Sequence, residues 1–195
     1  MFNSFPLIRC SFGVTSFGSL ATIGLSSFPL SEECKNELKK LEELLNKHNY
    51  LFVSASHICD NIWVGNYSAS SNIRFLKENN IKTIIYINDK QKPKQLLKLY
   101  NKLNIKHYWM YVEDKLGFPI NLILDKVYNI VTNSNSNILV HCTAGKSRSV
   151  AFIIYYIIRK YNMNYTEAYN FVKSKRKYIS RCNKFTDQLK KYESV

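Results

Sequence analysis

The chain has 195 residues, 46% of them hydrophobic, with 28 Lys+Arg against 14 Asp+Glu and a formal net charge of +14. That length fits one domain plus a short extension, with enough apolar residues to bury a real core. The longest apolar run, Val150 to Ile158, falls short of the roughly 18–20 residues needed to span a bilayer.

Cys10, Cys34, Cys59, Cys142 and Cys182 are odd in number and lack CxxC pairing, which argues against a disulfide framework or a structural zinc site. The pattern suits a reducing compartment and points to the cytoplasm, with the nucleus also open. The positive balance favours anionic partners: phosphoproteins, nucleic acid or acidic membrane. It reads equally well as lysines on solvated faces.

Taken in chain order, residues 1–30 are Ser- and Phe-rich, contain no acid and carry Arg9 as their single charge. They read as a disordered or targeting extension, cleaved in the latter case for delivery to an organelle. Ser31 caps an expected helix with Leu38, Leu41 and Leu45 on one face. A strand is expected over 57–64 with a turn at Gly65-Asn66, then a helix from Ser70 or Ser71 to Asn80. Residues 82–88 read as a buried strand, Pro93 as the first residue of a helix to Leu103, and 105–112 as a strand. Pro119 opens a helix with Ile120, Ile123, Leu124, Val127 and Ile130 at helical spacing. A short buried strand, 137–141, precedes an apolar helix from about Arg148 to Tyr161. Asn164 and Glu167 form a capping box for the next helix, and a last helix covers 184–192. Strands alternating with helices predict an α/β fold with a central, largely parallel twisted sheet and helices on both faces.

The chemistry concentrates between the strand ending at His141 and the helix beginning at Arg148. The loop Cys142-Thr143-Ala144-Gly145-Lys146-Ser147-Arg148 has the form Cys-x5-Arg. A loop at the carboxyl end of a strand and the amino end of a helix can turn successive N–H groups inward as a nest for a phosphate. Gly145 allows the backbone angles such a nest demands. Amides and helix dipole favour an ionised Cys142, and Arg148 offers a planar fork for two phosphoryl oxygens. Ser149 is placed to hydrogen-bond the sulfur, and His141 to orient the loop through the backbone.

The string HCTAGKSRS resembles the signature of the protein tyrosine phosphatase superfamily, and its Ser-Arg-Ser ending is similar to the dual-specificity branch. HICDNIWVGNYSAS (57–70) is similar to that family's opening strand and turn, and residues 166–180 and 185–189 resemble its two closing helices. The resemblance covers roughly 55 to 193, within a catalytic domain set at 31–195. It implies the family fold, a two-step hydrolysis through a phosphocysteine without a metal or other cofactor, and a general acid on a separate loop. Thr143, Ala144, Gly145, Lys146, Ser147 and Arg148 would bind phosphate, and Cys142, Arg148, Ser149 and an acid would carry the reaction.

That acid needs to protonate the leaving oxygen. The segment Val112-Glu113-Asp114 matches the family's acid-bearing stretch, so the role carries over to Asp114, with Asp89 and Asp125 as alternatives. Strand alternation would send Glu113 to the opposite side. Where the family commonly has Pro-Asn, this chain has Arg181-Cys182, so support for the loop falls to Asn183 or is missing. Cys59, read as structurally buried, and Cys182 are possible disulfide partners for Cys142.

The expected partners are phosphorylated proteins, through phosphotyrosine and phosphoserine or phosphothreonine. The alternatives are a non-protein substrate (a phosphoinositide, phosphatidylglycerol phosphate or an RNA 5′-phosphate) or an inactive phospho-binding module. The Lys-rich stretch 92–106 and the KSKRK run (173–177) read as solvated helix faces, and no specific nucleic-acid partner is expected. Oligomeric state is left open.

Overall fold

The computed structural model describes residues 31–40 apart from 34 and 38, 53–180 and 184–193. The Leu38, Leu41 and Leu45 face, residues 1–30, and Cys10, Cys34 and Cys182 therefore lie outside the described residues.

Five strands form one sheet: β1 (Ala55–Cys59), β2 (Ile62–Gly65), β3 (Ile81–Ile87), β4 (Lys106–Met110) and β5 (Asn137–His141). They lie in the order β1-β2-β5-β3-β4. Only β1–β2 is antiparallel; β2–β5, β5–β3 and β3–β4 are all parallel. The helices are α1 (Tyr67–Ser71), α2 (Ile73–Glu78), α3 (Lys94–Lys102), α4 (Asn121–Thr132), α5 (Arg148–Tyr161), α6 (Tyr165–Lys175) and α7 (Thr186–Lys190).

Alternation along the central strand splits the core between the two faces. Ile138 and Val140 of β5 pack with residues of α4 to α7, whereas Leu139 packs with α1, α2 and α3. Ile85 and Ile87 of β3 join the first cluster and Ile81 and Ile84 the second. The irregular register between Ile81 and Thr83 puts Ile81 and Ile84 on one side despite their spacing. The expected α/β architecture is thus the observed one.

Helix α5 is apolar almost all round because it lies in the interior, with every residue from Arg148 to Ile158 buried. It stops where Asn162 turns left-handed at φ 54°, a conformation asparagine tolerates better than most side chains. Asn164 and Glu167 cap α6 reciprocally, as expected.

Several local expectations are corrected. The single strand over 57–64 is a hairpin, broken where Asp60 adopts φ 48° and the chain doubles back at Asn61. The helix expected from Ser70 or Ser71 is two short ones, capped by Asn66 and Asn72, whose side chains accept from Ala69 and Phe75. Ser70 and Ser71 instead donate to backbone carbonyls one turn back, which removes them as caps. Pro93 caps α3 rather than opening it, and α4 starts at Asn121 behind Ile120. The last helix shortens to Thr186–Lys190.

Phe152 is buried within α5, at 1% exposure. Phe152→Ala should destabilise the fold by about 3–5 kcal/mol in urea unfolding. A loss below about 1 kcal/mol would mean that α5 is not the centre of the core.

Candidate active site

Strand β5 is flanked on both sides by parallel partners, and the loop beyond its carboxyl end runs directly into α5. The geometry of this loop follows from where its carbonyls go. Turning peptide N–H groups toward one centre turns their C=O groups outward, and each buried one needs a donor.

Five such carbonyls have donors, mostly from different elements. Cys142 O receives His141 Nδ1 at 3.0 Å, and Thr143 O receives the N–H of Tyr67, first residue of α1, at 2.9 Å. Gly145 O receives Arg176 Nε at 2.7 Å. Lys146 O receives the Ser180 N–H at 3.0 Å, and Ser147 O that of Ala151 in α5 at 2.9 Å. Gly145 is required twice over: its φ is +68°, and a Cβ there would sit 2.4 Å from Gly65 O.

Cys142 lies at the base of the loop, 2% exposed. Its sulfur accepts the Gly145 N–H at 3.2 Å and the Ser149 hydroxyl at 3.4 Å. Burial by itself would raise the thiol pKa. The hydrogen bonds from Ser149 and Gly145 and the Arg148 charge outweigh it, and the net displacement is downward. Cys59, half-buried and free, goes the other way: burial and the neighbouring Asp60 push its thiol up to about 11.

Arg148 is buried, and its guanidinium is oriented by three acceptors. Nη1 reaches Asp89 Oδ1 at 3.1 Å and Val112 O at 3.3 Å, and Nη2 reaches Thr143 Oγ1 at 3.2 Å. Its Nε is buried without a hydrogen-bond partner among the described residues. Asp114 is exposed, accepting from Ser147 Oγ at 3.3 Å and paired with Lys184 at 3.2 Å.

An open cavity of about 580 Å³ is lined by Asp89, Lys90, Tyr111, Glu113, Asp114, Lys115 and Arg148. Glu113 therefore shares the cavity with Asp114, contrary to expectation. The strand ends at Met110, so period-two alternation no longer governs the segment. Asp125 is not brought here: it pairs with Tyr155 and Arg159 near the far end of α5, about 16 Å along the helix from Arg148. A larger cleft of about 1030 Å³ opens beside the amino ends of β3 and β4, and none of the candidate residues lines it.

Two side chains that matter were read as solvated charges. Arg176, within KSKRK, lies just past α6 and is buried, donating to Gly145 O and to the Ser54 and Ser56 hydroxyls. Its spacing of four from Val172, on the buried face of α6, is the signal that could have found it. Lys92 is buried as well, for which the sequence carries no comparable sign. Asn88, also missed, donates to Thr143 Oγ1 at 2.8 Å.

The sequence profile of the dual specificity phosphatase catalytic domain matches residues 62–195. A protein of Acanthamoeba polyphaga mimivirus named as a tyrosine-protein phosphatase is 41% identical over 70 residues, 34% of this chain and 33% of that one. The chain thus matches about a third of that relative's length. A similarly named protein of Amsacta moorei entomopoxvirus is 35% identical over 156 residues, 73% of this chain and 88% of that one. Among solved structures, the human tyrosine phosphatase-like serine/threonine/tyrosine-interacting protein superposes with a TM-score of 0.62 at 26% identity. That match covers 71% of this chain and 95% of the human one.

The opposed shifts of the two described thiols set a test. At pH 7 iodoacetamide should modify Cys142 while leaving Cys59 intact, as read by peptide mass mapping. Ser149→Ala should move the Cys142 titration midpoint upward, and an unmoved midpoint would remove Ser149 from thiolate stabilisation.

Proposed function

We propose, because this chain belongs to the dual-specificity phosphatase family, that it hydrolyses phosphotyrosine and phosphoserine or phosphothreonine in protein substrates through a phosphocysteine on Cys142. The observation that carries this is the buried Cys142 sulfur, held by the Gly145 N–H and the Ser149 hydroxyl, with its thiol displaced toward the ionised form. The catalytic unit is placed within residues 31–195. A thiolate nucleophile also requires a reducing compartment, in keeping with a cytoplasmic enzyme.

In the first step the Cys142 thiolate attacks phosphorus, the P–S bond forms and the P–O ester bond breaks. Asp114 gives its proton to the leaving oxygen. In the second, water attacks the phosphocysteine, Asp114 takes the water's proton, and the sulfur leaves as thiolate toward the Ser149 hydroxyl. Loop amides from Thr143 to Arg148 other than Gly145, whose N–H is on the sulfur, bind the non-bridging oxygens, and Arg148 Nε, without a partner among the described residues, supplies a further donor.

Asp89 is read differently from Asp114. Asp89 accepts from Arg148 Nη1 at 3.1 Å, which suits it to orienting Arg148 rather than to meeting the leaving group. The open cavity around Arg148 fits a phosphorylated side chain of either class presented on a protein surface.

Cys142→Ser should abolish hydrolysis of p-nitrophenyl phosphate with the fold retained, and residual turnover in a clean preparation would sink the mechanism. Arg148→Lys should slow the reaction by about 100-fold or more, since a lysine cannot reproduce the planar fork.

For Asp114→Asn, loss should follow the basicity of the leaving group. A phosphotyrosine peptide should slow by roughly 100-fold and an activated aryl phosphate by much less. The basic-side fall of the pH–rate profile, which reports a protonated acid, should vanish. Equal losses on both substrates with an unchanged profile would remove Asp114 and turn attention to Asp89.

A further inference from the structure

The segment between β3 and α3 presents one side of the site, through Asn88 on Thr143 and Asp89 on Arg148. It ends in Lys92, which is 6% exposed and has no carboxylate partner among the described residues. Lysine is almost never buried in that way. Its Nζ donates to Ser70 Oγ and Tyr100 OH, both at 2.8 Å. The ring centroids of Tyr67, Tyr86 and Tyr100 lie 4.7, 4.5 and 5.2 Å away, a cage of π faces.

The acceptors do not need this amine. The Ser70 hydroxyl already donates to Tyr67 O at 2.7 Å, and the Tyr100 hydroxyl to Ser70 O at 2.9 Å. Removing the amine would orphan neither group, and an apolar side chain of similar length should be at least as stable there. Stability alone gives no reason for a lysine.

The cage does have a connection to the site. Tyr67 gives its N–H to Thr143 O. Tyr86 stacks on His141, centroids 4.8 Å apart, and His141 holds Cys142 O.

We propose that Lys92 is a positioning residue of the phosphatase site: its caged amine pins the β3–α3 segment against α1, so that Asn88 meets Thr143 and Asp89 meets Arg148. This inference rests on the phosphatase reading above.

The test is Lys92→Met, which keeps the stem and removes the amine, measured alone and with Asn88→Ala. Thermal stability should be unchanged or higher, kcat on a phosphotyrosine peptide should fall about tenfold, and inorganic tungstate, titrated directly as an oxyanion probe, should bind more weakly. The double variant should lose less than the product of the two single losses, because both act on the same contact. Unchanged kcat and tungstate affinity, or losses that multiply alongside a fallen melting temperature, would overturn the proposal.

If Lys92→Met does not fold, Tyr100→Phe, which removes one acceptor of the amine, enters the same cycle under the same criteria. Wild-type activity that depends on Cys142 and survives Lys92→Met sinks this inference alone. A wild type without activity sinks the phosphatase reading, and the tungstate titration still decides the role of Lys92.

Discussion

The structure depends on one constraint: the carbonyls of the loop from Cys142 to Ser147 must find donors where the fold closes over them. Here those partners come from His141 at the end of β5, Tyr67 at the start of α1, Ala151 in α5, and Arg176 and Ser180 beyond α6. Elements from both faces of the sheet thus converge on one loop. The approach is close enough that Gly145 rests against the backbone of Gly65, and Gly65 in turn packs against Leu139 and Ala69 with little room for a side chain. The fold does more than carry the loop to the surface; it completes the loop's hydrogen bonding.

The same construction explains the electrostatics. A sulfur this deeply buried should hold its proton more tightly, as Cys59 does with less burial. Cys142 differs because the hydrogen bonds from Ser149 and Gly145 and the Arg148 charge together outweigh burial, whereas at Cys59 Tyr161 and Lys160 do not. His141, fully buried, stays neutral: burial first, and the nearby Lys92 charge second, hold its pKa well below the ordinary histidine range. A neutral imidazole can donate through Nδ1 to Cys142 O, which matches a supporting part rather than that of a base. Arg148 and Arg176 are both buried near the loop, while Asp89 is the one carboxylate bonded to either among the described residues.

What the sequence disclosed follows from how local each signal is. The Cys142–Arg148 loop is legible because its features fall on consecutive positions: a strand end, a cysteine, a glycine, an arginine and a helix start. The α/β order is legible because β3, β5 and α5 are strongly periodic or uniformly apolar. The β1–β2 hairpin was hidden because its turn is Asp60-Asn61 without a glycine, so apolar residues on either side read as one strand. Ser70 and Ser71 looked like caps until Asn66 and Asn72 took that part. Glu113 was misplaced because alternation was extended past the end of β4 at Met110.

The cations show most plainly why the rest was not legible. With 28 Lys+Arg in 195 residues, a basic side chain is the ordinary background of this chain, and number alone says nothing about where charge acts. Among the described residues, Lys92, Arg148 and Arg176 are the buried cations. One sits in the signature loop and could be read directly. The other two stand among runs of lysine that reach solvent, at 90–98 and 173–177, and differ from their neighbours only in what the tertiary fold packs around them. Arg176 replaces water by a loop carbonyl and two hydroxyls, and Lys92 by two hydroxyls and three rings. Burying a basic group is expensive unless such groups surround it, and burial holds the Lys92 amine well below the ordinary lysine range, so each burial marks a place where the fold has fixed a basic side chain beside the loop. Information about the site therefore lies in the depth of a few charges, a tertiary property, whereas the net charge describes chiefly the solvated surface.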